Sequence, residues 1–286
     1  MIYRALIPIA GIGRRLQPVS SAFCKAMLPL VDGSGRIRPV LHYILAEAAA
    51  AGIEEAALIV SPRDIEMVGR YLSAVGDDPD RWAPVLPRKI EFVRQDRPAG
   101  FGDAVARGAQ FLAGEPFMLL LGDHVYLAEP GQKPCAAQVA DALENRRAAA
   151  MVGVQAVSSE QLDRVGVVQG LPVDRRLYRC TGFIEKPTLA AANERLVTPG
   201  LGGGRFLAHC GIYIFAPEIF QCISAVADEA RAEGSEIQLA DAQSLLLHRR
   251  PKDYYLFHVA GRCFDVGTPD GYAAAFAAFA IRKNTT

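Results

Sequence analysis

Short unbroken apolar runs alternate along the first half of the chain with longer stretches that mix apolar and polar residues. The runs at 5–10, 56–60, 90–93 and 117–121 predict strands, and the last is the most apolar in the chain. Continuous rather than alternating hydrophobicity marks strands buried on both faces. The alanine-rich stretch 40–51 ends at Gly52 and predicts a helix, because alanine loses little entropy there and glycine stops a helix well. A second helix is expected over 64–75, then a polar, proline-containing loop over 76–88. A third helix is expected over 103–112, behind Gly100 and Gly102. Strand–helix–strand alternation of this kind predicts an α/β fold with a doubly wound parallel sheet.

The rhythm changes past the middle. A surface helix is expected over 136–147 and a strand over 149–155. Segments 165–168 and 178–187 then read as shorter, partly antiparallel strands around turns. A glycine-rich loop over 199–204 leads to a strand over 209–215. Helices follow over 216–232 and from Ser235, where Ser235 and Gln238 have capping-box spacing. A late strand over 254–259 precedes a helix over 272–282, which Thr268 or Asp270 can cap. No composition break marks a linker. One domain over 1–286 is expected, with halves at about 1–155 and 156–286.

Composition narrows the function classes. The 286 residues carry 31 basic and 31 acidic side chains, so no charge excess suggests a nucleic-acid or membrane surface. An anionic ligand must be met by a local group of cations. The six cysteines form no Cys-x-x-Cys pair, which argues against zinc and for reduced thiols in a cytoplasmic protein. Residues 1–10 are too short an apolar stretch for a signal peptide, and no apolar run is long enough to span a membrane.

Four places carry candidate chemistry. The strand at 5–10 runs into Gly11 and Gly13, where backbone amides can approach a phosphate, and Arg15 and Lys25 add positive charge. Taken alone, such a glycine turn is more often a tight turn without a ligand. Neither a Walker-type loop nor a complete dinucleotide fingerprint is present. Gln95 can donate to and accept from a base edge, and Gly100 precedes a helix start; an ordinary glycine loop capped by Asp103 is the alternative. Asp123 follows the most apolar strand, at the sheet end where doubly wound folds bind ligands, and a carboxylate there suits magnesium. The alternative is a turn residue, and His124 beside it reads as a structural donor. Glu185-Lys186-Pro187 pairs a carboxylate for sugar hydroxyls with an ammonium for phosphate, or is a solvated pair before a turn. Adjacent strand residues face opposite ways, so both can serve one ligand only at a strand end or bulge. Pro187 biases Lys186 toward extended backbone.

Gly11-x-Gly13-x-Arg15-x-x-Pro18 together with Lys25-x-Met27-Leu28-Pro29 resembles the signature of the sugar-1-phosphate nucleotidylyltransferases, and most nearly the bacterial UTP–glucose-1-phosphate uridylyltransferases. The resemblance extends over nearly the whole chain. It implies a mixed, mainly parallel Rossmann-like nucleotidyltransferase sheet with a smaller antiparallel portion, a nucleotide-binding first half and a sugar-phosphate-binding second half. It implies magnesium-dependent transfer from a nucleoside triphosphate, UTP before dTTP or CTP, to a hexose 1-phosphate. A non-catalytic protein that binds a nucleotide sugar stays open, and the family's habit implies a homo-oligomer. By the same resemblance Ala10, Gly11, Gly13, Arg15, Lys25, Gln95, Gly100 and Asp123 meet the nucleotide, with Arg15, Lys25 and Asp123 catalytic. Gly166, Glu185 and Lys186 meet the sugar phosphate, and Asp123 and Asp265 hold the metal. The family usually has Thr where Arg14 stands, Pro at Cys24 and often Glu at Ala26. Residues 33–38 look inserted. The 236–241 run matches a family segment and reads as mainly structural.

Overall fold

The computed structural model describes residues 2–77, 86–144 and 146–281. Most of the expected 76–88 loop lies outside them. In chain order the strands are β1 (Arg4–Pro8), β2 (Pro29–Val31), β3 (Ile37–Pro39), β4 (Glu55–Val60), β5 (Lys89–Arg94), β6 (Phe117–Leu120) and β7 (His124–Ala128). They continue with β8 (Ala150–Ser158), β9 (Gly166–Asp174), β10 (Leu177–Glu185), β11 (Arg205–Phe215), β12 (Tyr254–His258) and β13 (Gly261–Asp265). Among the described residues, nine strands make the central sheet in the order β5-β4-β1-β6-β11-β8-β12-β10-β9. The β5-β4-β1-β6 end is parallel throughout. β11 enters antiparallel to β6 and β8, and β9 and β10 form an antiparallel hairpin. Two small antiparallel ladders, β2–β3 and β7–β13, flank the sheet.

Side-chain alternation on the parallel strands sends apolar groups to both faces. Ala5, Ile7, Leu58 and Met118 join one core with the helix Val40–Ala50. Leu6, Ala57, Ile59, Phe117 and Leu119 join another, with the helices Phe101–Arg107, Glu218–Glu233 and Leu239–Arg249. Helices on both faces explain why these strands read as unbroken apolar runs. Val40, Leu41, Ile44 and Leu45 are fully buried, and each such side chain is worth about 1.5–3 kcal/mol.

Three local expectations change. The helix expected over 103–112 starts earlier and is broken into Phe101–Arg107 and Ala109–Leu112. The break is Gly108, where a Cβ would lie 2.4 Å from Leu6, so the chain lies directly against β1. The helix expected on the surface is Cys135–Leu143, and its first five residues are buried: Cys135, Ala136, Ala137 and Val139 are small or short apolar side chains, and the Gln138 amide is satisfied by the backbone of Lys133 and Ala260. The capping box at Ser235 does not form: the Ser235 hydroxyl bonds Ala230 O at 3.4 Å, and the next helix begins at Leu239. Thr268 does cap the last helix, Pro269–Ile281, by accepting from the Gly271 N–H. All six cysteines are free thiols and five are buried. Among the described residues no helix is long and apolar enough to cross a membrane.

Candidate active site

The chain lays down β1, β4 and β5 outward in one direction, then returns to place β6 on the other side of β1. That reversal leaves a crevice beyond the carboxyl ends of β1 and β6. A cavity of about 890 Å³ opens there. Ala10, Gly11, Gly13, Arg15, Lys25, Gln95, Gly100 and Asp123 line it from the first half of the chain. Gly166, Glu185, Lys186 and Asp265 line it from the second. The structure thus brings every candidate residue of the sequence analysis to one cavity.

The loop after β1 is shaped by its glycines. Gly13 has φ 69 and opens a short helical turn, Arg14–Leu16, a backbone state that side chains resist. A Cβ on Gly11 would lie 3.2 Å from Lys25 Cε, so the missing side chain makes room for the lysine. Lys25 Nζ donates to Asp123 Oδ2, and both side chains are largely shielded, at 17% and 14% exposure. His124 Nδ1 lies 3.0 Å from Asp123 Oδ1. Burial would raise the Asp123 pKa, but the Lys25 charge and His124 outweigh it and hold the carboxyl well below its usual range.

Asp265 reaches the same spot through strand pairing. His124 and Asp265 stand opposite each other in the β7–β13 ladder, and the Val266 N–H donates to Asp123 O at 2.8 Å. Asp123 Oδ2 and Asp265 Oδ1 lie 2.8 and 2.9 Å from where a Cβ on Gly267 would stand, so this glycine keeps open the gap between the carboxylates. Among the described residues, Asp123, His124 and Asp265 bring ligand atoms within 4.8 Å of one another. Two carboxylates around an open gap, with an ammonium already drawn to one of them, fit a hard divalent cation. His124 orients Asp123 in the manner of a residue behind a metal ligand. Arg15 Nη2 is 3.7 Å from Asp265 Oδ2 and more than half exposed, so it is free to turn toward the cavity.

The Gln95 segment is fixed from the second half of the chain. Gly102 N–H donates to Ile237 O at 2.8 Å, and Ile237 N–H donates to Ala99 O at 2.9 Å. Gly100 has φ 105, and a Cβ there would lie 2.4 Å from Ile237 O. Glycine is therefore required at 100 by a neighbouring backbone. Gln95 is buried and its amide NH₂ donates to Asp103 Oδ2 at 2.7 Å and to Gly100 O at 3.3 Å. Among the described residues that leaves the amide oxygen without a partner, on a residue that lines the cavity.

At the far end, Glu185 closes β10 and Lys186 lies just beyond it with φ 48. The left-handed turn overrides the extended geometry expected before proline, at a cost on the order of 1 kcal/mol. Its effect is to bring two sequence neighbours to one side, with Lys186 Nζ 3.7 Å from Glu185 Oε1. The Lys186 N–H donates to Val165 O at 3.1 Å, which anchors the turn to the approach of β9.

Sequence reasoning passed over part of the lining. Glu236, Gln238 and Asp241, in the run that reads from sequence as mainly structural, line the cavity, and so does Gln243 beyond it. Arg164, His209 and Tyr213 also line it, and only a contact map could have found them. Of the positions that depart from the family pattern, Arg14 lines the cavity, whereas Cys24 and Ala26 are buried and do not line it. The segment 33–38 lies in the β2–β3 hairpin, where Asp32 Oδ1 accepts from the Ser34 and Arg36 amides, away from the cavity.

A family model described as nucleotidyl transferase matches residues 4–281. The UTP–glucose-1-phosphate uridylyltransferase of Bacillus subtilis strain 168 is 31% identical, over 98% of this chain and 92% of that protein. The protein of the same name from Mycoplasma pneumoniae is also 31% identical, over 96% and 91%. A solved UDP-glucose pyrophosphorylase complexed with UDP-glucose superposes with a TM-score of 0.77 at 25% identity, covering 98% of each chain.

Proposed function

The chain belongs to the nucleotidyl transferase family, and on that premise we propose that it transfers the uridylyl group of UTP to glucose 1-phosphate with magnesium as cofactor. The products are UDP-glucose and pyrophosphate. The observation that carries this reading is the single cavity in which the glycine loop, two cations and two carboxylates meet Glu185 and Lys186. A phosphate oxygen of the sugar 1-phosphate attacks the α-phosphorus of the triphosphate. The bond from that phosphorus to the bridging oxygen breaks, and pyrophosphate leaves with the electron pair. Such a reaction needs alignment and charge neutralisation more than a protein nucleophile.

The roles follow from chemistry and position. The amides around Gly11 and Gly13 cradle the triphosphate, against the backbone of Ala10. Arg15 stabilises the departing pyrophosphate, and Lys25 neutralises charge on the reacting phosphates. Asp123 and Asp265 would hold Mg²⁺, which supplies charge neutralisation to both phosphates. Lys186 holds the sugar phosphate and Glu185 accepts from sugar hydroxyls, with Gly166 leaving room for the ring. The free amide oxygen of Gln95 suits the N3–H of uracil, in a pocket whose backbone is set by Gly100. Thymine presents the same N–H, and cytosine presents an amine at the neighbouring atom.

The test is pyrophosphate release with Mg²⁺, crossing UTP, dTTP and CTP with glucose 1-phosphate and other hexose 1-phosphates. UTP with glucose 1-phosphate is expected to give the highest kcat/KM. Preference for another pair would overturn the substrate assignment. Nucleotide binding without any pyrophosphate release would overturn the enzymatic one.

A further inference from the structure

His209 is a buried imidazole that the reaction as described does not use. In the β9–β11 pairing, Leu207 opposes Val168 and Ala208 opposes Val167. One step further in that register sets His209 beside Gly166, where the ladder ends. The ring is held from two sides, stacked on Phe183 at 4.8 Å and meeting Tyr213 edge-on at 5.4 Å. A Cβ on Gly166 would lie 3.2 Å from His209 Nδ1, 2.7 Å from Glu185 Oε2 and 2.8 Å from the Phe183 ring. The missing side chain at 166 therefore leaves a space flanked by one imidazole nitrogen and one carboxylate oxygen.

The other nitrogen, Nε2, is buried with no hydrogen-bond partner among the described residues. Burial pushes the His209 pKa down to about 4, so the ring is neutral near pH 7 and carries one proton. A proton on Nε2 would be a buried N–H with no acceptor, whereas Nδ1 faces the space beside the Glu185 carboxylate. The proton therefore belongs on Nδ1, toward Gly166, with the Nε2 lone pair left unused. Nδ1–H is a donor and the Glu185 carboxylate is an acceptor. A hydroxyl group needs one of each.

We propose that His209 Nδ1 and Glu185 Oε2 together grip one hydroxyl of the acceptor sugar over Gly166, which makes His209 a specificity-determining residue for the sugar. The inference rests on the proposed use of a sugar 1-phosphate and adds the residue that recognises the ring. It predicts that the site disfavours a sugar lacking that hydroxyl, because the bonds it makes to both groups would be lost.

Titration calorimetry tests this without turnover, using UDP, UDP-glucose and UDP-glucose analogues that each lack one ring hydroxyl. In His209→Phe, UDP-glucose is expected to bind about tenfold more weakly, or about 1.4 kcal/mol, with UDP binding unchanged. In the wild type one deoxy analogue should show a loss of similar size, and in His209→Phe, where Glu185 alone still meets the hydroxyl, the gap between that analogue and UDP-glucose should narrow. His209→Asn, which keeps a donor and less bulk, should restore part of the discrimination. The inference is overturned if His209→Phe binds UDP-glucose as the wild type does. It is equally overturned if both histidine variants lose UDP and UDP-glucose alike. A wild type that binds UDP but no nucleotide sugar would instead remove the functional reading, and this inference with it.

Discussion

The two ends of the cavity are held to different degrees. At one end Lys25 and Asp123 are more than four-fifths shielded and pinned by His124, and Asp265 is fixed by a strand ladder. At the other, Glu185 and Lys186 are about half exposed and meet at 3.7 Å on the turn after a strand. The first arrangement has its charges placed before any ligand arrives, as transition-state stabilisation requires. The second is open enough for an acceptor to enter and leave. In the proposed reaction, damage at the shielded end should therefore appear in kcat, and damage at the open end in KM.

The largest effect expected is from Asp123→Asn, which keeps the shape but removes a charge from the proposed metal end. Turnover should fall by about 10³-fold with the circular dichroism spectrum retained. Near wild-type turnover would mean that the shielded end is not the chemical one. Next comes Gly267→Ala, whose Cβ would press on both carboxylates at 2.8 and 2.9 Å. The Mg²⁺ concentration for half-maximal rate should rise by about tenfold or more, with the KM for glucose 1-phosphate little changed. An unaltered magnesium dependence would detach that glycine from the metal site. At the open end, Lys186→Ala should raise the KM for glucose 1-phosphate by about tenfold and leave the KM for UTP alone. A drop confined to kcat would erase the contrast between the ends.

The smallest effect concerns stability. Because the Asp123 pKa is lowered in the folded protein from a model-compound value of 3.8, its contribution is present above that value and is lost as pH falls below it. The wild-type Tm should therefore decline below about pH 4. In Lys25→Met the lowering charge is gone while the burial remains, so the folded and unfolded pKa values draw together and the decline below pH 4 should be shallower. Identical Tm–pH profiles for the two proteins would show that Lys25 does not govern Asp123.

The shielded end was far more legible in the sequence than the open one. Asp123 follows an unbroken apolar run, and the glycine loop follows another, so local pattern alone sets both at strand ends on the crevice. The strand-end geometry that Glu185 and Lys186 need was also readable as a condition, though not the left-handed turn that meets it. Other features depend on contacts between distant segments. Ile237 looked like part of a capped helix start, but its backbone is bonded to Ala99 and Gly102. His209 sat inside an apolar strand pattern, and the register shift between His209 and Tyr213, at a Gly211 with φ 83, defeats simple alternation. Gly267 gave no local sign that two carboxylates converge on it.

The proposed reaction depends most on a cation held between two carboxylates that are 142 residues apart in sequence and adjacent in the fold. Crystals grown with Mn²⁺ and UDP-glucose test this directly through anomalous scattering. An anomalous peak within coordinating distance of both Asp123 and Asp265 is the predicted result. A peak elsewhere in the cavity, with either carboxylate turned away from it, would contradict the account.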